Sequence, residues 1–235
     1  MISKKPVYLM LSFATIASLL LLIVFGFYTQ IHTLSKTERL FIGSIFIIIS
    51  LGGIYSAFRP GRFRRIFFAK KHKKNRYKKN EVTDIKLKGH HPTCNSFKNH
   101  VILLGDSVYC AGCNGLVLGS ILAISIMGIY MVLDYSVSQP LTDLIFTLGF
   151  LFVLLNYIDT LYYHNTPVLH VISNTMLTCG FLCIVIAVSE KTGEASFGII
   201  AIIFSVLWLD VRIHLSQYKH KYICSQCAKN CKYFE

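Results

Sequence analysis

Six of the eight cysteines fall in two groups along the chain. Cys94, Cys110 and Cys113 form one, and Cys224, Cys227 and Cys231 the other. Each group holds a Cys-x-x-Cys pair: Cys110-Ala-Gly-Cys113 and Cys224-Ser-Gln-Cys227. That spacing lets two thiolates chelate one metal from a tight turn, with Gly112 and Gly115 giving the turn its backbone freedom. His91-Pro-Thr-Cys94 adds an imidazole and a thiolate three residues apart, and His90 and His100 are further donors. In a reducing cytosol these thiols point to metal ligation or redox chemistry rather than to a disulfide framework. Zn²⁺ is the expected metal, since four-coordinate Cys and His sets suit a borderline ion without redox demands. An iron–sulfur cluster fits less well, because the spacing lacks the ferredoxin runs. Two arrangements stay open. Both Cys-x-x-Cys pairs could share one four-Cys centre. Alternatively His91, Cys94, Cys110 and Cys113 form a local site and leave Cys224, Cys227 and Cys231 for a second metal. The local site is slightly favoured, because its shorter loop closes at less entropic cost. Cys179 and Cys183, one helical turn apart in an apolar run, read as packing residues.

A second set of polar residues interrupts the apolar runs. Asn156 and Asp159 end one run, and His164 follows in the connecting loop. His170 and Asn174 are four apart in the next run. Asp210 and His214 are four apart in the last, with Arg212 between them. Four-residue spacing puts each pair on one helix face. Asp159, His164, His170, Asp210 and His214 are therefore expected to gather in a polar pocket beneath the cysteine loop. Such a pocket would serve as an acid–base pair or a second metal site.

The elements that must position these groups follow from composition. Of the 235 residues 54% are hydrophobic and 15% charged, with a mean hydropathy of +0.54. A globule exposed to water on all sides needs more charge than this. The expected fold is all-α: a polytopic membrane bundle of six transmembrane helices with a cytoplasmic Cys/His metal-binding loop. The spans are expected at 7–30, 40–58, 116–133, 141–158, 167–188 and 195–215. The first is too long for a signal peptide and lacks a convincing cleavage site, so it reads as retained. The organisation is an N-terminal hairpin (1–58), a polybasic linker (59–88), the Cys/His motif (89–115), a four-helix membrane region (116–215) and a Cys-containing tail (216–235).

Basic residues set the orientation. With both termini cytoplasmic, the inside segments hold 21 of the 24 Lys and Arg, and the outside loops hold Lys36, Arg39 and Lys191. That bias obeys the positive-inside rule and places the chain in the cell membrane as a multi-pass protein. Thirteen of the basic residues crowd into 59–88. Directly after a span, they read as a contact with an anionic lipid leaflet. Nucleic acid is not the expected partner, because no nucleic-acid-binding signature accompanies the charge. Other membrane proteins are candidate partners.

The stretch His91-Pro-Thr-Cys94-Asn-Ser-Phe97-Lys-Asn-His100, followed by Tyr109-Cys110-Ala-Gly-Cys113-Asn-Gly115-Leu-Val-Leu-Gly119, resembles the uncharacterised DUF2085 family of small membrane proteins in its archaeal-type version. There a His-Pro-x-Cys and a Cys-x-x-Cys-x-Gly precede a span. The bacterial-type members carry Cys-His-Gln and Cys-x-Arg-Cys, which this chain lacks. The resemblance implies a metal- or redox-capable motif in a membrane protein and no established reaction. The leading expectation is thus a zinc site of structural type in an assembly or interaction component. The alternative is a membrane-embedded metal-dependent or thiol-redox enzyme. A transporter is the weakest reading, since the outer halves of the spans hold almost no ionisable residues.

Overall fold

Apolar runs of about 18 residues or more have one economical way to satisfy every backbone N–H and C=O without water, which is the α-helix. The computed structural model describes residues 5–28, 33–58, 86–88, 100–104, 107–133, 137–161 and 166–225. Among these, six long helices appear: α1 (Lys5–Phe27), α2 (Lys36–Phe58), α3 (Ala111–Val132), α4 (Gln139–Leu161), α5 (Pro167–Thr192) and α6 (Ala195–Ser225). Helices α2 to α6 are each long and apolar enough to cross a membrane, whereas the described apolar stretch of α1, Leu11–Phe27, is shorter. Their outward faces carry large apolar side chains: Ile48, Ile129, Val168 and Ile203 are all more than half exposed. Such a continuous apolar exterior suits lipid as its covering. The chain is thus a helical protein of the multi-pass membrane type.

The helices start and stop outside the apolar runs, which corrects the expected bounds. α2 begins at Lys36 rather than 40 because Ser35 caps it. The Ser35 hydroxyl accepts from the Glu38 N–H at 3.3 Å, and the Ser35 N–H donates to Glu38 Oε2 at 3.1 Å. This reciprocal capping box satisfies two amide groups that a helix start leaves open. α5 runs to Thr192 rather than 188 and ends on Gly193, whose φ of 67° is the left-handed cap only glycine takes easily. α3 begins at Ala111 rather than 116, and α6 continues to Ser225 rather than 215.

Beside its helices the chain carries one small sheet among the described residues. β1 (Lys86–Lys88), β2 (Val101–Leu104) and β3 (Ser107–Cys110) form three strands in the order β1-β3-β2. β1 pairs parallel to β3 with Leu87 opposite Val108. β2 pairs antiparallel to β3, from Val101 opposite Cys110 to Leu104 opposite Ser107.

α5 is the axis of the bundle. It packs on α3, α4 and α6, and 61% of its apolar window is buried, against 17% for α2. Leu177, Ile184, Val185, Ala187 and Val188 are inaccessible or nearly so. Close approach of α3 to α5 depends on small residues. A Cβ on Gly119 would meet the Thr175 carbonyl at 2.7 Å, and one on Gly115 would meet Asn174 Cβ at 2.8 Å. These two glycines are the spaced pair that permits close helix contact in membranes. α6 is tied to α1 by Trp208, whose indole N–H donates to Ser18 Oγ at 3.0 Å. It is tied to α4 by the Tyr157 hydroxyl, which donates to the Trp208 carbonyl at 2.8 Å.

Candidate functional site

The Cys110–Cys113 pair sits where strand becomes helix. Cys110 is the last residue of β3 and the N-cap of α3, with extended backbone at φ −73° and ψ 120°. Its Sγ accepts a hydrogen bond from the Cys113 N–H at 3.5 Å. The opening amides of a helix lack intrahelical acceptors, and here the sulfur serves one of them. The tight, glycine-assisted turn expected around this motif is therefore not what forms. Gly112 and Gly115 lie within helix α3, and Gly193 is the glycine with positive φ among the described residues. The helix supplies what the turn was expected to supply, an amide directed at sulfur.

Arg212 of α6 closes on this pair. Its Nη2 lies 3.6 Å from where a Cβ on Gly112 would stand, and Asn174 Nδ2 is at the same distance. The guanidinium interacts electrostatically with Cys110, Cys113 and Asp159. The cysteine pair at this helix N-terminus thus has a buried guanidinium on its other side.

Below the cysteines, α4 and α5 bring polar side chains together. Asp159 Oδ2 and His170 Nδ1 are 3.2 Å apart, and both side chains are largely buried. The ring of His100, just before β2, stacks on that of His170 with centroids 4.5 Å apart. The Asn174 amide donates to the His170 carbonyl at 2.5 Å, and Asn156 donates to Ser173 Oγ at 2.8 Å. Asn156 and Asn174 are both 0% exposed. Their Oδ1 atoms, and Nε of Arg212, make no hydrogen bond among the described residues. A polar centre built from α4, α5, α6 and the residue before β2 thus underlies the Cys-x-x-Cys pair.

The expected site residues fare differently. Asp159 and His170 meet, and His100 joins them. Asp210 and His214 stay together on an exposed face of α6, with Oδ2 and Nδ1 3.4 Å apart, and do not turn into the centre. Arg212, between them in sequence, is the α6 residue that turns inward. His164, His91, Cys94, Cys227 and Cys231 lie outside the described residues, as does the polybasic stretch apart from Lys86–Lys88. Cys224 lies in the last turn of α6. Among the described residues no group of three or more His, Cys, Asp and Glu is arranged to hold a metal ion. Cys179 and Cys183 lie half-buried in α5.

No family model, curated protein or solved structure matches the chain. The chemistry of the site is therefore read from its own groups.

The opposite end of the bundle carries a polar cluster that sequence reasoning missed. Glu190 Oε1 accepts from Arg39 Nη2 at 2.9 Å and from the Tyr130 hydroxyl at 2.6 Å. Arg39 Nη1 donates to the Leu133 carbonyl at 2.6 Å, and the guanidinium lies 4.8 Å from the Tyr130 ring centroid. Arg39 and Glu190 are 5% and 4% exposed. The expected span bounds leave Arg39 and Glu190 in the connecting segments 31–39 and 189–194. The longer α2 and α5 carry them inside. The signal lay in the Ser35–Glu38 capping box, which sets Arg39 within a helix.

Proposed function

We propose that this chain is a six-span cell-membrane protein with both termini in the cytoplasm, and that Cys110 and Cys113 are half of a zinc–thiolate centre of structural type. His91 and Cys94 complete the centre from the preceding segment, with His100 as a further donor. The metal pins the hairpin and the polybasic segment to the bundle, and the basic residues hold that segment against an anionic leaflet. The protein then acts as an assembly or interaction component. The observation that carries this reading is the Cys113 N–H directed at Cys110 Sγ on a helix start, with Arg212 beside both thiols. Amide-to-sulfur bonds and a neighbouring cation stabilise thiolates, the form that binds metal. The resemblance to the DUF2085 family points the same way.

A second reading has its own support. A cysteine pair at a helix N-terminus, near Arg212 and the Asp159–His170 contact, also suits thiol–disulfide chemistry at the membrane boundary. Metal analysis of the purified full chain separates the two. Stoichiometric zinc that is lost in Cys113→Ser supports the structural centre. Zinc that survives both Cys110→Ser and Cys113→Ser overturns it. A metal-free chain whose pair cycles reversibly between dithiol and disulfide favours the second reading.

A further inference from the structure

We infer that Asn156, Asn174 and Arg212 form a binding site for ordered water where α4, α5 and α6 meet, one helical turn deeper in the bundle than the Asp159–His170 contact. The site is independent of the zinc centre proposed above. Oδ1 of Asn156 and Oδ1 of Asn174 are acceptors, and Nε of Arg212 is a donor. All three atoms are buried and make no hydrogen bond among the described residues. A buried polar atom without a partner bears its full desolvation cost, and folded proteins leave few of them unmet. The orientation of Asn174 is fixed, because its other end must donate to the His170 carbonyl.

The helices bring the three side chains to one level. Asp159, near the end of α4, meets His170, near the start of α5, so the two helices pack antiparallel. The turn before Asp159 then lies beside the turn after His170, which sets Asn156 next to Asn174. The Asn156 amide accordingly donates to Ser173 Oγ at 2.8 Å. α6 enters from a third side. Tyr157, beside Asn156, donates to the Trp208 carbonyl, one turn before Arg212. Arg212 Nη2 and Asn174 Nδ2 each lie 3.6 Å from where a Cβ on Gly112 would stand, and nothing lies nearer to that point. The glycine therefore leaves room for a small molecule between the guanidinium and the carboxamide.

The mixture of atoms selects the occupant. Two bare acceptors repel an anion, and the guanidinium beside them repels a metal ion or an ammonium group. A neutral molecule that donates twice and accepts at least once satisfies all three atoms, and water does so. Its O–H groups serve Asn156 and Asn174, directly or through a second water, and its oxygen accepts from Arg212 Nε. The bound water ties α6 to α4 and α5 and keeps Arg212 turned toward Cys110 and Cys113.

The test is an experimental structure of the unmutated full chain in lipid, at a resolution that shows ordered water. Density for water within hydrogen-bond distance of Asn156 Oδ1, Asn174 Oδ1 and Arg212 Nε is expected, as one molecule or two in contact. Direct protein partners on these atoms, or an anomalous signal from an ion at the site, overturn the inference. A second arm compares thermal unfolding of Asn156→Leu, Asn174→Leu and the double variant in detergent. Leucine keeps the heavy-atom outline of asparagine and cannot bond water. Neither Oδ1 accepts a bond from the other asparagine, so the two are linked only through what they share. The double variant should therefore lose less than the sum of the two single midpoint shifts, because the water is lost once. Strict additivity overturns the inference. Where a variant does not fold, the density decides alone. A chain without zinc defeats the proposed function and leaves this water in place.

Discussion

Asp159 on α4 and His170 on α5 face each other at 3.2 Å, eleven residues apart in sequence. The contact closes the polar centre from below, as Arg212 closes it from the side of α6. Removing the carboxylate takes a hydrogen-bond partner from His170 and a buried counter-charge from Arg212. Asp159→Ala should therefore destabilise the protein by about 3–5 kcal/mol, the range for breaking a buried charged pair. Thermal unfolding in detergent measures it. Asp210→Ala, on the exposed face, should leave the midpoint nearly unchanged.

Cys110 serves both as a sulfur donor and as a helix cap, and substitution can part the two roles. Serine is a good N-cap, and alanine is a poor one that costs about 1 kcal/mol. Cys110→Ser should keep most of the stability while losing thiol reactivity and bound zinc. Cys110→Ala should lose all three. Unfolding midpoints set beside thiol titration decide the matter; equal midpoints for the two variants would show that capping contributes nothing.

The contact of α3 with α5 requires hydrogen in place of a side chain at Gly119. Gly119→Ala sets a methyl against the Thr175 backbone and the Thr178 hydroxyl. Overpacking of this kind costs about 1–3 kcal/mol. Gly128, on the same helix with nothing within 4 Å of its added Cβ, is the control, and Gly128→Ala should be neutral or slightly stabilising. Both are read from the unfolding midpoint.

At the other end of the bundle, Arg39→Ala leaves Glu190 buried with one hydrogen bond in place of two and no counter-charge. A loss of about 3–5 kcal/mol is expected. Pairing Arg39→Ala with Glu190→Gln should recover part of it, because the double change removes both charges. A double-mutant cycle on thermal stability checks the coupling, and strict additivity would contradict a direct pair.

Tyr28, just beyond α1, donates to Glu194 at 2.9 Å. That hydrogen bond, with burial and the carboxylate charge behind it, raises the phenol above its ordinary range. A raised value in the folded state means that the folded chain holds the proton more tightly. The stabilisation is complete below the ordinary tyrosine range near pH 10 and fades as pH rises through the raised value. Tyr28→Phe should flatten this alkaline dependence in a pH series of unfolding midpoints.

Long apolar runs made the helices legible, because a lipid-facing helix is hydrophobic nearly all round and needs no partner to be recognised. Helix ends were harder, since Lys36 and Thr192 are polar and their helicity comes from Ser35 and Gly193 rather than from hydropathy. The hairpin had a local signal in Val101-Ile-Leu-Leu104 and Ser107-Val-Tyr-Cys110, two short β-prone runs separated by Gly105-Asp106. That signal competes with the cysteine spacing, which suggests a turn there. Asp159 and His170 were readable as neighbours from helix periodicity and a short connection. Arg212 was not, because facing inward or outward on α6 depends on a rotation that no periodicity in a uniformly apolar helix reveals.

β3 turns into α3 with no residue between Cys110 and Ala111 to absorb a bend. A pull on these strands is therefore a pull on a rod long enough to cross a membrane, and through Gly115 and Gly119 that rod is geared to α5. Whatever grips the strands holds a lever whose far arm ends at Tyr130, against Glu190 and Arg39 at the opposite end of the bundle.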